Sequence, residues 1–183
     1  KSDPCEEISC VNGGSCDEGT CLCENGYQGD ECETEVRAKY VGEYSVDTAS
    51  QYCEVDTMLP EWGIENQNIS SPATVFQVVE DPDDIMGLII KDTSNSAVAI
   101  KITLNANQVG FSIPQQPIDL SSFNSPFPLD GGTIRGTGSF TAGGFQATLV
   151  TEFSIDAEVA SQGFLDFILN TTCTQSNLTG IKL

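Results

Sequence analysis

The sequence predicts a mainly β protein in two parts: a small disulfide module over residues 1–34 and an antiparallel β-barrel-like domain over residues 35–183. Three observations support this prediction. Six of the eight cysteines lie between Cys5 and Cys32. After Cys32, apolar and polar residues alternate at period two, which is typical of strands with one buried face. The breaks between these strands are short and rich in turn residues, so neighbouring strands should be antiparallel.

The first module is too short to bury a hydrophobic core of its own, so its cysteines must staple it. A shared zinc ion is the alternative, but zinc sites favour paired Cys-x-x-Cys knuckles. The closest pair here is Cys21-Leu22-Cys23, which cannot form such a knuckle. Disulfides formed in an oxidising compartment fit better. We therefore expect an exported protein that works outside the cell or on its outer surface.

This module resembles the EGF family in its six-cysteine spacing, in Asn12-Gly13-Gly14 before the third cysteine and in Gly26-Tyr27-x-Gly29 before the last one. The resemblance implies the pairs Cys5–Cys16, Cys10–Cys21 and Cys23–Cys32. Asp3-Pro4 stands where calcium-binding members carry an acidic and amide cluster, so no metal is expected. We interpret the module as a rigid spacer.

The second part contains about eight strand signals. The clearest runs from Phe145 to Ile155, where Phe145, Ala147 and Leu149 share one face. A bridge between the remaining cysteines, Cys53 after the first strand and Cys173 at the end of the last, would tie the two ends of the meander together. The other strand signals are Tyr40–Val46, Thr74–Glu80, Ile85–Lys91, Ala97–Leu104, Gln108–Ile113, Thr133–Phe140 and Phe164–Thr171. Closing such a meander into a barrel removes its exposed edges, and a β-sandwich is the alternative.

The segment Lys39–Val46 resembles the first strand of calycins, the group of lipocalins and fatty-acid-binding proteins. Thr133–Phe140 with Phe145–Ile155 is similar to late strands of lipocalin-like domains in bacterial secreted proteins. As a whole the chain resembles small acidic surface lipoproteins of Gram-negative bacteria. That resemblance implies an up-and-down barrel and a lipid anchor near Lys1. The candidate ligand-lining residues are Tyr40, Tyr44, Phe76, Phe111, Phe153 and Phe167.

The charge balance excludes several classes of partner. The chain has 27 acidic and 7 basic residues, no histidine and a formal charge of −20. A surface of this charge repels nucleic acid and anionic membranes and favours a monomer. Membrane contact is therefore expected only through the lipid anchor.

No catalytic residue, cofactor or metal is predicted. Without histidine, and with every cysteine in a disulfide, catalysis by His or Cys is excluded. We interpret Asp81-Pro82-Asp83-Asp84 as a turn. The leading hypothesis is a non-enzymatic surface protein that binds or adheres to a protein or glycan. One alternative is a calycin-type carrier of a small apolar ligand, and a second is a structural component of the cell envelope.

Overall fold

The computed structural model describes residues 3–58, 60, 65–93, 99–119, 129–158 and 166–183. Almost all regular structure in this part of the chain is β. The N-terminal module contains two short hairpins, β1 (Ser15–Asp17) with β2 (Thr20–Leu22) and β3 (Tyr27–Gln28) with β4 (Thr34–Glu35), followed by a 3-10 helix over Val36–Tyr40. No helix among these residues is long and apolar enough to cross a membrane.

The second part forms one continuous antiparallel sheet. Its strands are β5 (Gly42–Val46), β6 (Ala49–Val55), β7 (Gln67–Ser71), β8 (Thr74–Glu80), β9 (Gly87–Asp92), β10 (Ala99–Leu104), β11 (Gly110–Pro117), β12 (Leu129–Thr141), β13 (Gly144–Glu158) and β14 (Asp166–Lys182).

β5 and β6 are the two parts of one long strand with a short interruption, and β7 and β8 are the two parts of another. Val46 of β5 pairs with Gly180 of β14, and Val55 of β6 pairs with Thr171 of β14. From the first pair to the second, both strands advance by nine residues. The β5–β6 strand is therefore in one register throughout, and it breaks only at Asp47 and Thr48. The β7–β8 strand keeps one register against it in the same way. The sheet thus has eight strands, each paired with its neighbours in sequence.

The sheet closes because β14 pairs with β13 on one side and with the β5–β6 strand on the other. The result is an eight-stranded, antiparallel, up-and-down barrel. The predicted barrel is confirmed, and the β-sandwich alternative is wrong. A closed barrel leaves few unpaired strand edges, which suits a chain whose strands follow one another through short turns.

The core explains why these strands close. The alternating apolar residues predicted from the sequence point inward and pack in one cluster, with Tyr44, Leu88 and Ile102 almost completely buried. The ring of Phe145 lies directly against Gly180 on the neighbouring strand β14. A Cβ on Gly180 would lie 1.9 Å from Phe145 Cε1. Glycine is therefore required where this ring crosses β14.

A β-bulge in β14 changes which side chains face inward. Ala147 lies opposite Leu178, but Leu149 lies opposite Gln175, so β14 contains one extra residue there. Asn177 adopts a left-handed conformation at this point, with φ of 58°. Leu178 faces the interior, and strict alternation from Leu178 would place Cys173 on the outside. The extra residue of the bulge reverses the alternation, so Cys173 faces the interior.

All eight cysteines are in disulfides. The three bridges of the N-terminal module are Cys5–Cys16, Cys10–Cys21 and Cys23–Cys32, which are the pairs that the EGF resemblance implies. Cys53 is bonded to Cys173. As expected, this last bridge ties the two ends of the meander, because it joins the first long strand to the last strand where the barrel closes. Cys173 lies within β14 and not at its end, because this strand continues to Lys182, beyond the strand signal predicted from the sequence.

The segment after Cys32 is an ordered connection. Thr34 and Glu35 form β4, and Val36 is completely buried. The peptide N–H of Val36 donates to the carbonyl of Gly26. A Cβ on Gly26 would lie 2.9 Å from Cγ1 of Ile85, so the module packs closely on the β8–β9 turn.

Candidate functional site: an apolar cavity in the barrel

The barrel encloses an apolar cavity of about 200 Å³. Its wall comes from every strand of the barrel, and nearly all of its surface is hydrocarbon. The main lining residues are Phe76, Val78, Ile90, Ile100, Ile102, Phe111, Ile113, Ile134, Phe140, Phe145, Ala147, Leu149 and Leu178. These are the inward positions of the period-two pattern, so the same alternation that closes the barrel also makes its interior apolar.

One end of the cavity is closed by stacked aromatic rings. Tyr40, from the 3-10 helix, stacks on Phe140 with ring centroids 4.0 Å apart, and Tyr44 stacks on Phe76 at 5.8 Å. The Phe145 ring contacts both Tyr44 and Phe76. Aromatic pairs of this kind add about 0.5–1.5 kcal/mol each beyond their buried area. The aromatic floor therefore makes this end of the barrel solid.

The two phenols of the floor are hydrogen-bonded. The Tyr44 hydroxyl donates to the carbonyl of Tyr40 at 2.8 Å, and the Tyr40 hydroxyl donates to the carbonyl of Gln108 at 2.5 Å. Burial, and to a smaller extent the adjacent Tyr40, raises the pKa of Tyr44 to about 12. Tyr44 therefore stays neutral up to strongly alkaline pH.

Arg37 fastens the 3-10 helix beneath this floor. Its guanidinium is buried and donates hydrogen bonds to the carbonyls of Asp81, Asp84 and Gly87 in the β8–β9 turn. Its Nε lies 2.8 Å from the carboxylate of Glu35. All three carbonyls accept from Nη1 while Nε binds Glu35, and lysine is a poor substitute for a planar group that uses two separate nitrogens at once. Arg37 therefore ties the N-terminal module and the closed end of the barrel together.

The same turn holds a second ion pair. The Asp81 carboxylate lies 2.9 Å from Lys101 Nζ and accepts a hydrogen bond from the peptide N–H of Asp83. The hydrogen bond from Lys101, followed by that from Asp83, lowers the pKa of Asp81. The acidic sequence over residues 81–84 thus forms a turn, and no group of three metal-ligating side chains occurs among the described residues.

The opposite end of the cavity is its mouth. There the lining includes Asp47, Pro72 and Thr74, which are all exposed, together with the half-buried Ala49 and Gln175. Asp47 and Pro72 lie at the interruptions of the two long strands. These breaks in pairing are therefore the places where the barrel wall opens toward solvent.

The candidate lining residues predicted from the sequence fall in different places. Phe76 and Phe111 line the cavity, whereas Tyr40 and Tyr44 form its aromatic floor. Tyr40 belongs to the 3-10 helix and not to the first strand, which begins at Gly42. Phe153 is half-buried and is not part of the described wall, and the side chain of Phe167 lies outside the described residues.

Sequence reasoning missed Phe140, Phe145 and Arg37 as residues of this site. Phe145 begins the clearest alternating strand, and its shared face with Ala147 and Leu149 was a usable signal. Phe140 closes the preceding strand signal and could have been added for the same reason. Arg37 carries no comparable signal, because its acceptors are backbone carbonyls far along the chain.

Comparisons with known proteins do not assign this chain to a family. No protein-family model matches the chain, and no curated protein matches it. Among solved structures, a multidomain protein including DUF1735 from Bacteroides ovatus is similar at 12% identity with a TM-score of 0.29. That match covers 76% of this chain and 56% of the other, so this chain spans little more than half the length of that protein. The cavity itself is therefore the basis for inferring function.

Proposed function

We propose that this protein is an exported, non-enzymatic binding protein whose barrel holds one small apolar ligand. The observation that carries the proposal is the apolar cavity of about 200 Å³ with an aromatic floor and a mouth at one end. Apolar space of this kind takes up organic molecules, since an engineered cavity of about 150 Å³ binds benzene. A filled barrel would have favoured the adhesion hypothesis instead.

The size of the cavity sets the expected ligand and affinity. A molecule of about ten heavy atoms buries on the order of 200–250 Å² of apolar surface, worth about 5–6 kcal/mol. This corresponds to a dissociation constant of roughly 30–200 µM for apolar contacts alone. Ligands with a single ring or a short alkyl chain therefore fit the proposal better than long-chain lipids.

The N-terminal module supports export and presentation of the barrel. Four disulfides indicate an oxidising, extracellular environment. We assign the module to the EGF-like class on its cysteine spacing and its bridges. Packed on the β8–β9 turn, it lies at the closed end of the barrel and leaves the mouth unobstructed. A spacer that joins the barrel to a surface through an N-terminal lipid anchor would need this arrangement.

Binding of the small neutral fluorophore 1-naphthylamine, which is close in size to the expected ligand, tests the proposal. We expect saturable fluorescence enhancement with one site per chain and a dissociation constant in the micromolar range. Ala49→Trp should weaken this binding because Ala49 lines the mouth, whereas Ala142→Trp, in the exposed β12–β13 turn at the closed end, should not. No saturable binding by the folded protein would contradict the proposal and leave the adhesion and envelope hypotheses standing.

A further inference from the structure

We infer that the barrel selects neutral or amine-bearing apolar ligands and rejects apolar anions such as alkyl carboxylates. This inference rests on the proposed function and specifies the charge of the ligand. It depends on where the chain places its few positive charges, because a buried or half-buried carboxylate needs a cation or several hydrogen-bond donors to offset its lost hydration.

Three of the seven basic residues lie at the closed end. Arg37 is occupied by carbonyls of the β8–β9 turn and by Glu35. Lys39 lies over the ring of Tyr40, 5.0 Å from its centroid, and Lys182 Nζ donates to the carbonyl of Lys39 at 2.9 Å. All three are separated from the mouth by the aromatic floor.

Three more basic residues point away from the cavity. Lys91 follows Ile90, and Lys101 lies between Ile100 and Ile102. Since these isoleucines line the cavity, the alternation of the strand puts both lysines on the outer surface. Arg135, next to the lining residue Ile134, is exposed and pairs with Glu152 at 3.0 Å.

The remaining sequence offers no replacement. The strand ends that lead into the connections β6–β7, β9–β10, β11–β12 and β13–β14 are at the mouth end of the barrel. Their parts outside the described residues, 59, 61–64, 94–98, 120–128 and 159–165, contain neither lysine nor arginine, and the chain has no histidine. The seventh basic residue, Lys1, precedes the N-terminal module. The ligand therefore meets no side-chain cation in this barrel.

The charge present at the mouth is negative. Asp47 lines the mouth and is exposed, and the chain as a whole carries a net charge of −20. Such a field raises the free energy of an approaching anion and lowers that of a cation. The side-chain amide of Gln175 and the hydroxyl of Thr74 remain as neutral hydrogen-bonding groups at the mouth for an alcohol, amide or amine.

Two matched sets of probes test this inference at pH 7.5. 1-Naphthylamine and 5-amino-1-naphthalenesulfonate share one aromatic frame and differ in a sulfonate. Decanol, decylamine and decanoate share one chain and are measured by displacement of the neutral fluorophore. We expect the anionic member of each set to bind at least about tenfold more weakly than the neutral one.

A charge reversal at the mouth supplies the matched variant. Asp47→Lys should bring decanoate to within about threefold of decanol, because it provides the missing cation. Asp17→Lys makes the same change in net charge on the exposed surface of the N-terminal module and should leave the order of affinities unchanged. Equal binding of decanoate and decanol by the unaltered protein would overturn the inference and leave the proposed function intact. Failure of every probe to bind would overturn both.

Discussion

The Cys53–Cys173 bridge gives the sharpest quantitative prediction about stability. It closes a loop with a sequence separation of 120 residues, which includes nearly the whole barrel. In the chain-entropy relation, such a cross-link lowers the free energy of folding by about 5 kcal/mol, because it restricts the unfolded chain. This amount is comparable to the whole stability of many domains.

The variant Cys53→Ala/Cys173→Ala tests this value. Both sulfurs are buried between strands that remain paired in register, so alanine leaves the ladder intact. Urea unfolding followed by far-ultraviolet circular dichroism should show a stability lower by about 4–5 kcal/mol. The m value should rise, since the unfolded chain exposes more surface without the cross-link.

A short-loop disulfide provides the control. Cys5→Ala/Cys16→Ala removes a bridge with a separation of only 11 residues, worth about 3 kcal/mol, and its effect should be confined to the N-terminal module. The transition of the barrel should change little. If the long-loop variant loses less than about 1 kcal/mol with an unchanged m value, the chain-entropy reasoning is wrong for this barrel.

Three further predictions concern the closed end of the barrel. The pKa of tyrosine is near 10 in the unfolded chain, and burial raises the pKa of Tyr44 to about 12 in the fold. The free energy of unfolding should therefore fall by about 2–3 kcal/mol as the pH rises from 10 to 12. Tyr44→Phe should lack this loss in chemical unfolding curves. Arg37→Met should destabilise the protein by about 3 kcal/mol in urea, because it leaves buried carbonyls without donors, and Arg37→Lys should restore only part of that. Gly180→Ala should lower the melting temperature at a cost of about 1–3 kcal/mol, because its methyl group collides with the ring of Phe145.

Each of these predictions has a specific contrary result. An alkaline transition that persists unchanged in Tyr44→Phe would show that another group controls it. Full stability of Arg37→Met would mean that the β8–β9 turn does not depend on the guanidinium. Gly143→Ala is the control for Gly180→Ala, since no atom lies within 4 Å of its added methyl group, and equal effects of the two substitutions would refute the steric argument.

Local alternation predicted most of the barrel. The strand signal at Thr74–Glu80 coincides with β8, and Phe145–Ile155 lies within β13. In these segments one face is apolar and the other polar, so periodicity alone identifies both the strand and its buried side. The same signal selected Phe76 and Phe111, which line the cavity.

Three other strand segments could not be predicted in this way. β6, β7 and the second half of β14 carry polar residues such as Gln67, Asn68 and Gln175, and the bulge at Asn177 reverses the alternation within β14. Their pairing is fixed by register with neighbouring strands, which is a long-range property. The burial of Arg37 has the same origin, because its acceptors come from a turn more than forty residues away.

The central claim is that an apolar molecule binds inside the barrel, and methyl NMR tests it most directly. The protein, labelled at its isoleucine, leucine and valine methyl groups, is titrated with decanol. We predict saturable shifts at Ile102, Ile134 and Leu149, which line the cavity, and none at Val75, which is exposed on the outer face of β8. Shifts at Val75 with none at the three lining residues would place the ligand on the surface and contradict the account.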